Sequence, residues 1–302
     1  MRQGISYMVH CVEGFMVLSG FFLGAGSVSG QQVTYSGSAQ YATGSYFFEK
    51  STNSFYLTNG IRVADNGVSI SLNVPYTIQN TPWLSYSGIG YIPTGGPQNG
   101  MVSDMGKGRG KGKGGQGQTR GMASVSTVDE AVPLADTVSY NKYGFSDPNL
   151  YLSVRLSPDR ATATSLYLNA GVKIPFANPE TGFGTGAWDL GAGLSLTQRF
   201  GTFFISADAM YWHLGDMQDL NFNDPVSFGL GLGKSWKNGK WLLSGLLTGY
   251  TRIIEGYDPP LSLGIGLGHF LTKKITLNAN ISFGLSESSS DVGGGIGWSV
   301  RL

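Results

Sequence analysis

The stretch FGLGLGKS, Phe228 to Ser235, approaches the pattern of a phosphate-binding loop. Such a loop starts on a glycine and leads from its Lys-Ser pair into a helix, so that backbone N–H groups cradle phosphate oxygens. Here Phe228 holds the first position and WKNGKW follows, which reads as a turn between two strands. Nucleotide binding is therefore not expected; Gly229, Gly231 and Gly233 are expected to form a row of small residues on one strand face. GIGLGHF, 264–270, fails as a dinucleotide fingerprint because it lies within a strand pattern and opens no helix. Acid–base chemistry would need a positioned imidazole or carboxylate. Beyond the first thirty residues the histidines are His213 and His269. His213, near Asp208 and Asp216, could be a carboxylate-oriented imidazole; the competing reading is an interfacial His-Trp pair in a band of aromatic residues. No histidine pair has metal-ligand spacing and no nucleophile motif accompanies His213. The expectation is a non-enzyme without catalytic residues, metal or cofactor.

Two other charged groups could bind ions. GKGRGKGKGGQGQTRG, 106–121, carries Lys107, Arg109, Lys111, Lys113 and Arg120 spaced by glycines, with no acid. It has no aromatic residue on which a base could stack, so nucleic acid is not expected. Two readings stay open: a flexible cationic loop attracting lipopolysaccharide phosphates, surface polyanions or anionic solutes, and a tolerated insertion without a task. The second group is dispersed: Arg62, Arg155, Lys173, Asp189, Arg199, Asp208 and Arg301 fall on the polar faces of strand patterns, with Arg252 nearby. Such residues would either set the selectivity of a pore or form a structural ladder with Glu49, Asp189 and Asp208.

The elements that would position these groups are strands. Only 13% of the 302 residues are charged, about half the usual share for a soluble domain, while 41% are hydrophobic and glycine occurs 47 times. A net charge of +1 gives the whole chain no attraction for polyanions. Residues 1–30 read as a secretory signal peptide, with Arg2 before the apolar run Gly14 to Val28 and cleavage near Ser29 or Gly30. Cys11 lies inside it, so a cleaved chain has no thiol. From about Tyr41 the sequence alternates with period two. In VSISLNVPYTI, Val68, Ile70, Leu72, Val74, Tyr76 and Ile78 oppose Ser69, Ser71, Asn73 and Thr77. ITLNANISFGL, NLYLSVRL and WDLGAGLSLTQR repeat the plan.

The strands expected are 41–50, 54–64, 67–78, 147–157, 162–176, 187–199, 202–214, 225–236, 240–253, 259–271, 274–285 and 290–302. Many exceed the roughly 5 to 6 residues usual in soluble sheets and suit the roughly 9 to 11 of a tilted transmembrane strand. Every second connection is tight, as in outer-membrane barrels. The prediction is an all-β, transmembrane antiparallel up-and-down barrel of about twelve strands over 31–302, apolar face outward, with 79–146 a long extracellular loop. Trp188, Trp212, Trp236, Trp241 and Tyr250, near strand ends, are expected in interfacial girdles.

NGVSISLNVPY (66–76), GFSDPNLYLSVRL (144–156), LNAGVKIPFANPETGFGTGAWDLGAGLSLTQRFG (168–201) and the closing GGGIGWSVRL resemble the outer-membrane transporter-like family associated with the meta pathway of phenol degradation. The resemblance covers roughly 40–302 apart from the 79–143 insertion, and implies an outer-membrane barrel for small or hydrophobic compounds. Barrels of this kind usually end in an aromatic residue read by the barrel-assembly machinery; here the end is Leu302, with Trp298, Val300 and Leu302 keeping the alternation. The functional expectation is a bacterial outer-membrane channel passing small molecules, hydrophobic or aromatic ones among them, by facilitated diffusion. Its partners would be outer-membrane lipids and lipopolysaccharide, the small-molecule solute and the assembly machinery. The alternative is a non-conducting surface barrel, an adhesin or envelope organiser working through its long basic loop.

Overall fold

A computed structural model describes residues 31–48, 51–95, 141–157, 163–218 and 220–302. The wall consists of β1 (Gln32–Gly44), β2 (Thr52–Asp65), β3 (Val68–Gln79), β6 (Lys142–Phe145), β7 (Asn149–Arg155), β8 (Thr164–Lys173), β9 (Asp189–Phe200), β10 (Phe203–His213), β11 (Val226–Trp236), β12 (Trp241–Tyr250), β13 (Leu261–Phe270), β14 (Ile275–Gly284) and β15 (Val292–Arg301). Each pairs antiparallel with its neighbours, and β1 closes the sheet against β15, from Thr34 opposite Arg301 to Thr43 opposite Val292. Of these thirteen segments, β6 and β7 both pair with β3 and are halves of one stave, which leaves the expected closed barrel of twelve strands. Closure pairs every edge, as a wall in lipid requires.

Period two sorts the side chains. Ile205, Leu230 and Leu232 are more than half exposed on the outside, in line with Ile61, Leu194 and Ile296. The opposite face carries Ser, Thr, Asn and glycine, and twelve strands enclose more volume than such side chains fill. The glycine row of β11 belongs there. A Cβ on Gly229 would lie 2.4 Å from Asp208 Oδ1, and one on Gly231 2.4 Å from Ser206 Oγ, so the glycines make room for their β10 neighbours.

The two ends differ. At one end turns are tight: β2 and β3 join through Asn66-Gly67, both at positive φ, the two-residue hairpin connection whose twist matches its strands. At the other end stand the connections 45–51, 80–141, 174–188, 214–225, 251–260 and 285–291. Near this end β3 and its partner change register: Asn73 faces Asn149 but Tyr76 faces Phe145, so Val74 and Pro75 oppose Ser146, Asp147 and Pro148. This is a bulge, favoured because Pro75 has no N–H for the ladder.

Two expectations need correction. The first strand, expected over 41–50, is β1 at Gln32–Gly44, and 45–51 is a connection. Residues 79–146 are not a single loop outside the wall. β4 (Leu84–Ser87) and β5 (Gly90–Pro93) pair as a hairpin whose eight residues are all buried. Lys142–Phe145 extends the stave expected to begin at 147. The hairpin touches inward-facing residues of β2, β3, β7, β9 and β12, strands on several sides of the barrel, so it lies inside the lumen at the long-loop end. Strands of four residues cannot cross a bilayer, so this pair serves packing.

Candidate functional site: the lumen and its hairpin

The hairpin is held by aromatic packing and by hydroxyls that satisfy its buried backbone. The Tyr91 ring stacks on Tyr56 at 4.1 Å, and Tyr86 lies 4.8 Å from Tyr91. Tyr250 Oη donates to Ile89 O at 2.9 Å, and Tyr151 Oη donates to Gly88 O at 3.4 Å. Tyr91 shares its hydroxyl with Thr77 and Ser146, and Asn149 Nδ2 donates to Tyr86 Oη. Burial raises the Tyr86 and Tyr91 hydroxyls well above the usual tyrosine range, so both stay neutral. Trp212 lies beneath the tip: a Cβ on Gly88, Gly171 or Gly191 would come within 2.8 Å of its ring.

A buried ion cluster anchors the tip. Lys173 Nζ is 3.3 Å from Asp147 Oδ2 and 3.2 Å from Asp189 Oδ2, and it also bonds Thr185 Oγ1. All three charged side chains are at most 1% exposed. Asp189 also accepts from Gly88 N at 2.6 Å and from Gly215 N at 2.9 Å; Asp147 Oδ1 accepts from Phe176 N and Ala177 N, each at 2.8 Å. Four segments meet on these two carboxylates: the bulge, the hairpin and the connections after β8 and β10. Lys173 and Asp189 are thus bound to each other and buried; the ladder considered from the sequence paired arginines with Glu49, Asp189 and Asp208, and the cation found beside Asp189 is Lys173. Sequence reasoning did not single out Asp147, although it shares its parity with the inward-facing Asn149 and Tyr151, and Asn149 lies opposite Lys173.

The remaining lumen charges lie elsewhere. Arg62 Nη2 donates to Ser69 Oγ at 2.8 Å. Arg155 Nε donates to Ser157 Oγ at 3.0 Å, and its guanidinium lies 5.9 Å from the Tyr167 ring centre. Arg199 is on the inward face of β9 near its tight-turn end, and Arg301 lies against the Gln32 amide. Asp208 occupies the middle of β10, opposite Ser195 and Gly229. The four arginines therefore belong to the tight-turn half of the lumen, away from the hairpin. Arg252 does not join them: it is exposed in the 251–260 connection and pairs with Glu255 at 3.2 Å. Lys107, Arg109, Lys111, Lys113, Arg120 and Glu49 lie outside the described residues.

The histidines part ways too. His213 Nδ1 is 3.1 Å from both oxygens of Asp224, which also accepts from Tyr211 Oη at 2.7 Å and Leu214 N at 3.2 Å. The Tyr211 hydroxyl holds the Asp224 carboxyl below the ordinary carboxylate range. Asp208 is not the partner, because positions 208 and 213 are on opposite faces of β10. The His-Trp pair of the structure is at the other end, where His269 stacks on Trp241 at 4.1 Å. The same parity removes Trp212 and Tyr250 from the expected girdle: both are buried inward, whereas Trp188 is 55% exposed. Among the described residues no three His, Cys, Asp or Glu gather as metal ligands, and no helix is long and apolar enough to cross a membrane.

No protein-family model matches the chain, and neither does any curated protein. Solved structures do. An outer membrane channel from Pseudomonas putida F1 superposes with a TM-score of 0.60 at 8% identity, over 91% of this chain and 97% of that one. Two looser likenesses are the KdgM porin, at TM-score 0.45, 5% identity and 90% and 99% coverage, and the CymD monoaromatic hydrocarbon channel, at 0.44, 11% identity and 91% and 89% coverage. At the identity of the first, what is shared is the architecture: this chain has the fold of an outer-membrane channel.

Proposed function

We propose that the chain is an outer-membrane channel that passes small molecules by facilitated diffusion, with its long connections facing outward and its tight turns facing the periplasm. The observation that carries this reading is the inversion of faces: a closed wall exposes Leu and Ile outward and encloses Ser, Thr, Asn and arginine. That arrangement suits a wall solvated by lipid around a wet interior. Arg62, Arg155, Arg199 and Arg301 would favour anions in the periplasmic half, including aromatic compounds that carry a carboxylate. The role in phenol degradation suggested by the resemblance to the meta-pathway family is a narrower form of this proposal. Lys107, Arg109, Lys111, Lys113 and Arg120 would add a cationic outer loop that draws lipopolysaccharide phosphates or anionic solutes.

The buried hairpin favours a second reading, a non-conducting surface barrel, because it occupies the long-loop half of the lumen. Planar-bilayer conductance separates the two. A channel is expected to conduct, to prefer anions by reversal potential, and to conduct more when 83–94 is replaced by a short Gly-Ser link. A silent barrel in both forms overturns the channel reading, and a strongly cation-selective pore overturns the role given to the arginines.

A further inference from the structure

The tight-turn end is chemically lopsided. Lys234, Lys237, Lys240, Lys273 and Lys274 are all exposed and belong to β11 and the turns of two neighbouring hairpins, β11–β12 and β13–β14. No Asp or Glu occurs in 226–254 or in 259–286, so no carboxylate of these strands or turns offsets the lysines. The long connections are the reverse, carrying Asp216, Asp224, Glu255, Asp258, Glu287 and Asp291. The tight turn between β2 and β3, by contrast, starts from an acid, Asp65.

An aromatic shelf accompanies the lysines. Trp236 and Trp241 stack with centroids 6.3 Å apart and planes 14° apart, and His269 continues the stack on Trp241. His269 Nδ1 donates to Lys240 O at 3.2 Å and Phe270 N to the same oxygen at 2.9 Å, which ties the first turn to the strand that leads into the second. Lys237, Asn238 and Gly239 all have positive φ, so the turn holds its lysines in a fixed, compact bend. Lys234 points outward, the direction of Leu230 and Leu232, with its ammonium 4.8 Å from the Phe203 ring centre. An ammonium on the apolar face, on the same strand as Trp236 of the tryptophan pair, is at the depth where a barrel wall meets headgroups.

We infer that this sector binds the phosphate of an anionic phospholipid in the leaflet around the tight turns, with Lys234, Lys237 and Lys240 as the primary contacts and Lys273 and Lys274 beside them. The inference rests on the proposal that the barrel spans a membrane. Charge complementarity selects the occupant: uncompensated ammonium groups at a surface attract anionic headgroups, and the tryptophans fix the depth. A zwitterionic lipid brings its own cation and gains far less.

The test is native mass spectrometry of the full chain in detergent with added phosphatidylglycerol or phosphatidylethanolamine, folding being checked by heat-modifiable electrophoretic mobility. Wild type is expected to retain phosphatidylglycerol preferentially, with retention falling roughly fivefold per lysine changed in Lys234→Gln and Lys240→Gln, and further when all five are changed. Lys142→Gln, at the opposite end, is the control and is expected to retain lipid as wild type does. Equal retention of the two lipids by wild type, or undiminished phosphatidylglycerol on the folded lysine variants, overturns the inference. A chain that does not insert into vesicles overturns the membrane reading instead, and the two failures are distinct.

Discussion

Replacing Lys173 with Met tests whether the buried ion cluster holds the hairpin. Met nearly matches the volume of the lysine stem, so what changes is one positive charge between Asp147 and Asp189, both at most 1% exposed. At N···O separations of 3.3 and 3.2 Å, each attraction is about 5 kcal/mol at an effective dielectric of about 20. Against the two together stands the desolvation of the ammonium, several kcal/mol, which Met no longer bears. The net cost should be that of breaking a buried pair, about 3–5 kcal/mol, because two carboxylates are left facing each other. Urea unfolding in detergent measures it. Because Asp189 also accepts from Gly88 N, hydrogen exchange at that amide should accelerate together with the other hairpin amides. Changing Asp147 and Asp189 to Asn in the same chain should restore most of the loss, since neutral partners need no counter-ion. A loss below about 1 kcal/mol with unchanged exchange at Gly88 would refute the account, because it would mean the cluster is hydrated and contributes little.

Three other predictions probe the wall, the packing beneath the hairpin and the outer rim. Leu230→Arg places a charge on the apolar face in mid-strand and should cost about 2–4 kcal/mol in bilayer refolding, whereas the same change in a soluble barrel would be nearly neutral. Trp212→Ala removes a ring that is 3% exposed and bounded by Gly88, Gly171 and Gly191; it should cost about 3–5 kcal/mol by urea titration and increase conductance. Asp224, whose carboxyl is depressed by the Tyr211 hydroxyl, should hold the 214–225 connection fully above about pH 4, its unfolded value, and release it as pH falls through the lower folded value. Exchange at the Leu214 amide, corrected for intrinsic rate, should therefore rise at low pH, and Asp224→Asn should remove that dependence.

Much of the wall was legible in the sequence because the two faces of a closed sheet, apolar outside and polar inside, make opposite demands on alternate residues. The patterns Val68/Ser69 and Leu230/Gly231 are visible one strand at a time, and Asn66-Gly67 marks its turn without help from the rest of the chain. The same parity, applied at strand ends, turns Trp212 and Tyr250 inward with Asp208 and Thr248, because position in the alternation outranks aromatic character. The hairpin left a fainter trace: 81–95, TPWLSYSGIGYIPTG, has no charged residue, which suits burial better than exposure.

The sequence by itself determined that twelve amphipathic strands would close into a barrel with its apolar face outward, since period two and turn chemistry are local properties. Only the tertiary structure decided what fills the lumen and which charges are engaged there. Lys173 could be placed on the polar face from its neighbours, but its partnership with Asp147 depends on the register in which β7 pairs with β8, and its effect on the hairpin on a backbone N–H supplied by Gly88, 101 residues before Asp189. Contacts between residues so far apart in the chain exist only once the wall has closed and brought its inward faces together.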